Sequence, residues 1–201
     1  MEKFTTLTAV AAPILMKNVD TDFIIRVERC TGTPKEELGK YAFEMGRFLK
    51  DGSENPEFTL NQPQYRGAKI LVCGEFFGTG SSREMAVWAI AGMGIRCLIA
   101  PSFGQIFYSN CFQNGLLPIV LPKETVDALA KDAMAPGAKP FTVDLANQTI
   151  NGSVKFDVSP RRRKMLMEGL DELGLTLSMD AKIRAYEDAD RAKRPWLYAS
   201  A

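Results

Sequence analysis

Histidine is missing from this 201-residue sequence. Without an imidazole, the chain by itself cannot build a Ser-His-Asp or Cys-His catalytic site, because the usual general base is absent. The two-histidine HExxH metalloprotease site is excluded for the same reason. Any proton transfer on this chain must therefore use Asp, Glu, Lys, Tyr or an activated serine.

Cysteine is scarce, and its spacing does not indicate a metal site. The four cysteines are Cys30, Cys73, Cys97 and Cys111, and no two of them form a CxxC pair. Two of them lie in apolar runs, which favours reduced, mostly buried thiols over disulfides or metal ligands. We therefore expect this chain to bind no metal or cofactor directly, so that any iron–sulfur cluster or zinc would be held by another chain.

A large excess of charge of either sign is also absent, since the net charge is +1. No nucleic-acid or acidic-membrane partner is expected, and the basic run at residues 161–164 is interpreted as a solvated helix face. No apolar stretch approaches the length of a membrane span, and the first residues lack the pattern of a signal peptide. A cytoplasmic location is the expectation.

The middle of the chain alternates strand patterns with helix patterns. Apolar runs without alternation, typical of strands covered on both faces, occur at residues 69–73, 95–100 and 117–121. Helical patterns follow them at residues 84–94, 103–114 and 125–134. This order predicts an α/β fold with right-handed crossovers and a mostly parallel central sheet.

The flanking segments are less regular. FTVDL and VKFDV alternate around Asn151-Gly152, which predicts an antiparallel C-terminal hairpin, followed by helices at about residues 161–170 and 180–191. Near the start, TLTAVAA is predicted as one strand, KNVDTD as a turn, and residues 35–49 as a helix. Neither a repeat nor a linker divides the chain, so one domain is expected.

The stretch GEFFGTGSSREMAVWAI, residues 74–90, places a glycine-rich turn between a strand and a helix. Free backbone N–H groups and the helix dipole make such a turn an anion site, and glycines at positions 78 and 80 would let a ligand approach closely. Arg83 adds a planar guanidinium suited to a carboxylate or phosphate. The glycine spacing matches neither the P-loop nor the GxGxxG pattern.

A purely structural alternative exists for this stretch. Ser81 and Glu84 have the spacing of a capping box, in which each side chain binds the backbone N–H of the other residue. Capping does not account for the second serine, Ser82, or for an arginine at the positive end of a helix. The bound-anion interpretation is therefore preferred, and it leaves open both an enzyme and a non-catalytic anion- or nucleotide-binding module.

With these residues in view, the sequence resembles the aconitase-type hydro-lyases, whose signature has a GSSRE core. NVDTDFII, LNQP, IAPSFGQIFYSNCFQNGLLPIVLP and GLDELGLTL are similar, in the same order, to the small subunits of the 3-isopropylmalate dehydratase family. The resemblance extends over about residues 18–197. Several matches in order are far more specific than one loop.

The resemblance implies a swivelling α/β domain over residues 1–201, with a C-terminal helical extension from about residue 178. Such a subunit docks on a large subunit that holds a 4Fe-4S cluster, one iron of which acts on the departing hydroxyl. Together the two chains would isomerise 2-isopropylmalate by dehydration and rehydration in leucine biosynthesis.

The resemblance also implies roles for individual residues. Ser81 matches the serine whose alkoxide takes the carbon-bound proton, and Ser82 and Arg83 match positions that bind the substrate carboxylate. Asp22 matches an aspartate that faces the active site, although an Asx turn would also explain it, and Asp20 is interpreted as a turn residue.

This sequence departs from the family pattern in three places. Met85 stands where the signature usually has histidine, and Phe76 stands where asparagine is commoner; Met85 is expected to be a packing substitution. Where the family usually continues IIP, this chain has Arg26 and Arg29, which would bind a second carboxylate or remain solvated. The malate derivative is therefore open, with a citraconate- or homoaconitate-type substrate as the alternative.

Overall fold

Two four-stranded sheets and the helices around them make up the part of the chain that the computed structural model describes, residues 1–80 and 82–198. The helices are α1 (Thr21–Ile24), α2 (Val27–Cys30), α3 (Glu44–Arg47), α4 (Glu84–Gly92), α5 (Gln105–Gln113), α6 (Lys123–Met134), α7 (Pro160–Glu168), α8 (Glu172–Leu177) and α9 (Asp180–Lys193). Short 3-10 helices cover Lys35–Tyr41, Thr59–Asn61, Pro63–Tyr65 and Pro195–Leu197.

One sheet is entirely parallel. Its strands lie in the order β2 (Ala11–Ile14), β3 (Ile70–Cys73), β4 (Cys97–Ala100) and β5 (Leu117–Val120). Every residue of the first three strands is buried. The unbroken apolar runs predicted this for β3 and β4, whereas Val120 at the end of β5 is exposed. The strand and helix predictions for residues 69–134 are thus confirmed, with small shifts at their ends.

Two apolar cores cover the faces of this sheet. On one face, Leu71 and Leu98 pack with residues of α4, such as Val87 and Ile90. On the other face, Val72 packs with residues of α6 and of the second sheet. Because alternate residues of each strand enter different cores, the sheet is the central layer of the fold.

The second sheet is antiparallel and corrects two predictions. Its order is β1 (Thr6–Ala9), β6 (Phe141–Asp144), β7 (Thr149–Ile150) and β8 (Val154–Lys155). FTVDL and VKFDV do not pair directly, because the two-residue strand β7 lies between them. TLTAVAA is not one strand either: β1 pairs with β6, whereas β2, after Val10, pairs with β3 in the other sheet.

The helical predictions at both ends of the chain need adjustment. Residues 35–49 form a 3-10 helix and then the short α3, because Phe43 takes a left-handed conformation with φ 55° between them. Near the C-terminus the predicted helices occur as α7 and α9, while α8 was not predicted. No residue of α9 is buried.

The cysteine prediction is confirmed. Cys73, Cys97 and Cys111 are buried free thiols and Cys30 is half-buried. Burial raises the pKa of each of the three inner thiols well above its ordinary value. Among residues 1–80 and 82–198, no helix is long and apolar enough to cross a membrane.

Candidate active site

The candidate site lies where three loops meet at the carboxyl edge of the parallel sheet, the edge at which α/β folds bind ligands. The glycine-rich loop after β3 is hydrogen-bonded on one side to the turn after β2, with Gly78 N donating to Val19 O at 2.7 Å. On its other side, Phe77 N donates to Ser102 O, after β4, at 3.1 Å. The loop is therefore fixed between two neighbouring loops of the same edge.

Gly78 has a packing role that its sequence position did not reveal. Its φ is 74°, and a Cβ atom there would lie 2.3 Å from the ring of Phe107. A side chain at position 78 would thus be strained and would also collide with an aromatic ring in the core. The expected close approach of a ligand does not explain this glycine, because the ring occupies that space.

The two aspartates of the turn after β2 have different roles. Asp20 is the N-cap of α1, and its Oδ1 atom accepts a hydrogen bond from Phe23 N at 2.7 Å, which confirms it as a turn residue. The side chain of Asp22 is 51% exposed, and its Oδ1 atom lies 2.5 Å from Nη1 of Arg83. The structure therefore brings together Asp22 and Arg83, two residues singled out from the sequence.

Arg83 lies at the start of α4 and is largely enclosed. It is the N-cap residue, and its side chain is 20% exposed. The ion pair with Asp22 lacks hydrogen-bond geometry, so the buried Nη1 atom has no hydrogen-bond partner among the described residues. A guanidinium in this position can bind an oxyanion with its remaining N–H groups while Asp22 balances its charge.

Glu84, part of the alternative capping-box interpretation, has a partner on another helix. Helix α4 begins at Glu84 itself, rather than two residues earlier as the capping box requires. The Glu84 carboxylate instead accepts a hydrogen bond from Nδ2 of Asn114 at 2.7 Å. Ser81, the predicted base, lies outside the described residues, and Ser82 is exposed.

Arg26 and Arg29, expected either to bind a second substrate carboxylate or to be solvated, both bind carboxylates of this chain. Arg26 pairs with Glu28 at 3.1 Å in an exposed position. Arg29 binds Glu44 through two hydrogen bonds of 2.6 and 3.0 Å. Each arginine lowers the pKa of the carboxyl group that it binds. The bonds from Arg29 are the shorter ones, so this pair is the more firmly held of the two.

Cys30 belongs to the same neighbourhood, which the sequence did not predict. Its Sγ atom lies 3.5 Å from Arg26 O, at the end of α2. Burial raises the pKa of its thiol, the positive charge of Arg83 opposes this effect, and the negative charge of Asp22 adds to it. The short sequence separation between Asp22 and Cys30, with a turn between them, was the pattern from which this proximity could have been predicted.

Apolar side chains surround the site at the same edge. Leu15 and Met16 follow β2, Phe76 follows β3, and Ile106 lies in the first turn of α5; all four are exposed, and together they form what we call the apolar rim. Phe76 is 54% exposed and has a φ of 56°, which is rare for a bulky residue. Met85, in contrast, packs against the core, as expected.

Comparisons with known proteins agree with these observations. One matching family model, described as the aconitase C-terminal domain, covers residues 1–124, and a second, described as the C-terminal domain of the 3-isopropylmalate dehydratase small subunit, covers residues 173–200. The chain is 53% identical to a 3-isopropylmalate dehydratase small subunit of Paramagnetospirillum magneticum and 50% identical to one of Azorhizobium caulinodans. Each alignment covers 98% of this chain and 100% of the relative.

A solved structure supports the same assignment. A crystal structure of 3-isopropylmalate dehydratase from Methanocaldococcus jannaschii superimposes with a TM-score of 0.62 at 25% identity, over 90% of this chain and 99% of that one. Two family models, full-length relatives and a common fold all agree. The chain belongs to the family of 3-isopropylmalate dehydratase small subunits.

Proposed function

We propose that this chain is the small subunit of a heteromeric hydro-lyase that converts 2-isopropylmalate to 3-isopropylmalate by dehydration and rehydration, in leucine biosynthesis. The observation that carries the proposal is about 50% identity, over nearly the whole chain, to proteins bearing that name. The Asp22–Arg83 pair at the carboxyl edge of the sheet supports it chemically, since the substrate is a carboxylate.

In this proposal Ser81 is the base, while Ser82 and Arg83 bind the substrate carboxylate. A serine hydroxyl is a weak acid, and each unit by which its pKa falls needs about 1.4 kcal/mol of preferential stabilisation of the alkoxide. The positive end of α4 and the Arg83 guanidinium have the sign that such stabilisation requires. Asp22 would hold the guanidinium in place between turnovers.

The family also implies a 4Fe-4S cluster, which the described residues do not fit. Within residues 1–80 and 82–198, no three or more Cys, Asp or Glu side chains group as metal ligands would. Cys73, Cys97 and Cys111 are enclosed in the core with raised pKa values, which disfavours the thiolates that a cluster needs. We therefore assign the cluster to the large subunit.

The proposed partner surface is the apolar rim. Exposed Leu15, Met16, Phe76 and Ile106 lie around the candidate site, and burying them against the large subunit would also enclose the substrate. A cytoplasmic location, without contact to nucleic acid or membrane, remains part of the proposal.

Reconstitution tests the proposal as a whole. The chain is mixed with a cluster-loaded large subunit, and the absorbance of the unsaturated intermediate is followed with isopropylmalate, citramalate and homocitrate as substrates. Turnover of isopropylmalate above the other two is expected. Faster turnover of another malate derivative would reassign the substrate, whereas no turnover together with tight nucleotide binding by the chain alone would indicate a binding module.

A further inference from the structure

The side-chain amide of Asn114 lies between the start of α4 and the end of α5. Its Nδ2 atom donates to Glu84 Oε1 at 2.7 Å and to Asn110 O at 2.9 Å. Its Oδ1 atom accepts from Trp88 Nε1 at 2.8 Å and from Lys35 Nζ at 3.4 Å. An asparagine amide offers two donors and two acceptor positions, so all four are used.

The partners fix the orientation of this amide. A carboxylate only accepts hydrogen bonds and an indole N–H only donates them, so the amide nitrogen must face Glu84 and the oxygen must face Trp88. Asn114 is also the C-cap residue of α5, which fixes its backbone at the end of that helix. The amide is therefore a rigid connection between the two helices.

Glu84 and Trp88 are four residues apart in α4 and lie on the same face of the helix. Because both bind one amide, the first turn of α4 can neither rotate about its axis nor slide along α5 without breaking a hydrogen bond. No side chain among the described residues caps this helix at Arg83. Asn114 thus holds the first turn of α4 through the side chains of Glu84 and Trp88.

The far end of α4 is held differently. There Gly92 packs against Gly39 of the 3-10 helix, so closely that a Cβ atom on Gly39 would lie 2.3 Å from the Gly92 carbonyl carbon. That contact is between backbones and lies at the opposite end of the helix from Arg83. The amide contact is at the other end, from which the guanidinium extends towards Asp22.

We propose that Asn114 is a positioning residue, which fixes the start of α4, and through it the Arg83 guanidinium, by binding Glu84 and Trp88 at the same time. The inference rests on the proposed function for its kinetic consequence, because Arg83 is the group that binds the substrate carboxylate there. Asn114 itself touches no substrate. Its effect passes through the backbone from Glu84 to Arg83.

The test uses the assembled enzyme and a pair of compensating substitutions. Asn114→Asp places a carboxylate against Glu84, and we expect kcat/KM to fall about tenfold, mainly through a higher KM. In the double variant, which adds Glu84→Gln, the glutamine amide can donate to the new carboxylate at position 114. The part of the loss that comes from the two facing carboxylates is therefore recovered, while the bond to Asn110 O stays unmade. Glu84→Gln alone keeps an acceptor oxygen and costs less than Asn114→Asp.

The matched control is Asn147→Asp. Asn147 Nδ2 donates to Asp144 Oδ2 at 2.8 Å, so the same substitution sets two carboxylates against each other in the exposed turn between β6 and β7. We expect kcat and KM of this control to stay within twofold of wild type. A kcat/KM of Asn114→Asp within twofold of wild type, or a double variant no better than the single one, would overturn the proposal.

A second measurement separates this inference from the proposed function. Amide hydrogen exchange of residues 84–88 is expected to accelerate in Asn114→Asp, to recover in the double variant and to be unchanged in Asn147→Asp. If the wild-type pair of subunits turned over no substrate, the proposed function would fail. The exchange rates would still show whether Asn114 fixes the start of α4. Unchanged exchange rates in Asn114→Asp would show that Asn114 does not fix the start of α4.

Discussion

Asp22 and Arg83 form an ion pair of 2.5 Å that joins the turn after β2 to the start of α4. Asp22 lies in the first turn of α1 and Arg83 at the N-cap of α4, and the hydrogen bonds between the loops before these helices bring them together. Because Asp22 is half exposed, its carboxylate contributes little to the stability of the fold. We expect Asp22 instead to fix the direction in which the Arg83 guanidinium points.

The first prediction concerns Asp22→Asn. We expect kcat/KM of the assembled enzyme to fall by at least about tenfold, the loss typical of one charged contact, with a thermal midpoint close to that of wild type. The control is Asp20→Asn, since asparagine also caps helices and can still accept from Phe23 N. Equal activity of Asp22→Asn and wild type would show that the ion pair has no part in catalysis.

The second prediction concerns the predicted base. Ser81→Ala should abolish turnover and leave the affinity for substrate nearly unchanged, because Ser82 and Arg83 still bind the carboxylate. Steady-state kinetics and calorimetric titration of the assembled enzyme give the two quantities. Near-normal turnover would show that Ser81 is not the base and that its role is structural.

The third prediction concerns Phe76, whose φ is 56°. A left-handed conformation costs about 1–2 kcal/mol for most residues and less for asparagine, so Phe76→Asn should raise the thermal midpoint of the isolated chain. It should also weaken association with the large subunit, because it removes an exposed aromatic ring from the apolar rim.

Phe76→Leu separates these two effects. Leucine retains the strain but lacks the ring, so this variant should bind the large subunit less tightly without any gain in thermal midpoint. Denaturation of the isolated chain and a binding titration measure the two effects. An unchanged midpoint in Phe76→Asn would refute the strain argument, and unchanged affinity in both variants would refute the docking argument.

The fourth prediction concerns Arg29 and Glu44. Hydrogen bonds from Arg29 lower the pKa of Glu44 in the folded state, so the pair stabilises the fold above the unfolded pKa of glutamate, about 4.3. This stabilisation is lost as the pH falls through the lower, folded pKa. Urea denaturation should therefore show wild type more stable than Arg29→Gln near neutral pH, with the difference shrinking in acid. A pH-independent difference would contradict this.

The fifth prediction concerns the contact between Gly39 and Gly92. Gly39→Ala should lower the free energy of unfolding by about 1–3 kcal/mol, because the backbone of Gly92 cannot move aside as a flexible side chain would. Gly174→Ala is the control, since the atoms nearest to a Cβ there belong to side chains. Chemical denaturation of both variants measures the difference, and equal stability would show that the helices can separate without cost.

The sequence was most informative where one local pattern determines one element. The short apolar runs at β3, β4 and β5 favour buried parallel strands by their length and by the helical patterns between them, which follow from periodicity. Predictions were wrong where distant pairing decides. TLTAVAA looks like one strand, but β6 and β3 each take one half of it.

For the candidate site as well, local motifs could be predicted from the sequence and contacts between distant residues could not. The Asp22 turn and the Arg83 loop are visible as motifs, and the family resemblance relates them, but their ion pair depends on three loops meeting at one sheet edge. The engagement of Arg29 by Glu44 and of Glu84 by Asn114 depends on tertiary packing, which no local spacing encodes.

The pairing of β1 with β6 has a consequence for biosynthesis. The residues facing each other are far apart in the sequence: Leu7 is near the N-terminus, whereas its partner Val143 is in the last third of the chain. On the ribosome, the second sheet cannot be completed until most of the chain has been translated, whereas the parallel sheet can assemble earlier. Until then the first strand has an unpaired edge, so nascent chains would benefit from chaperone protection at their leading end.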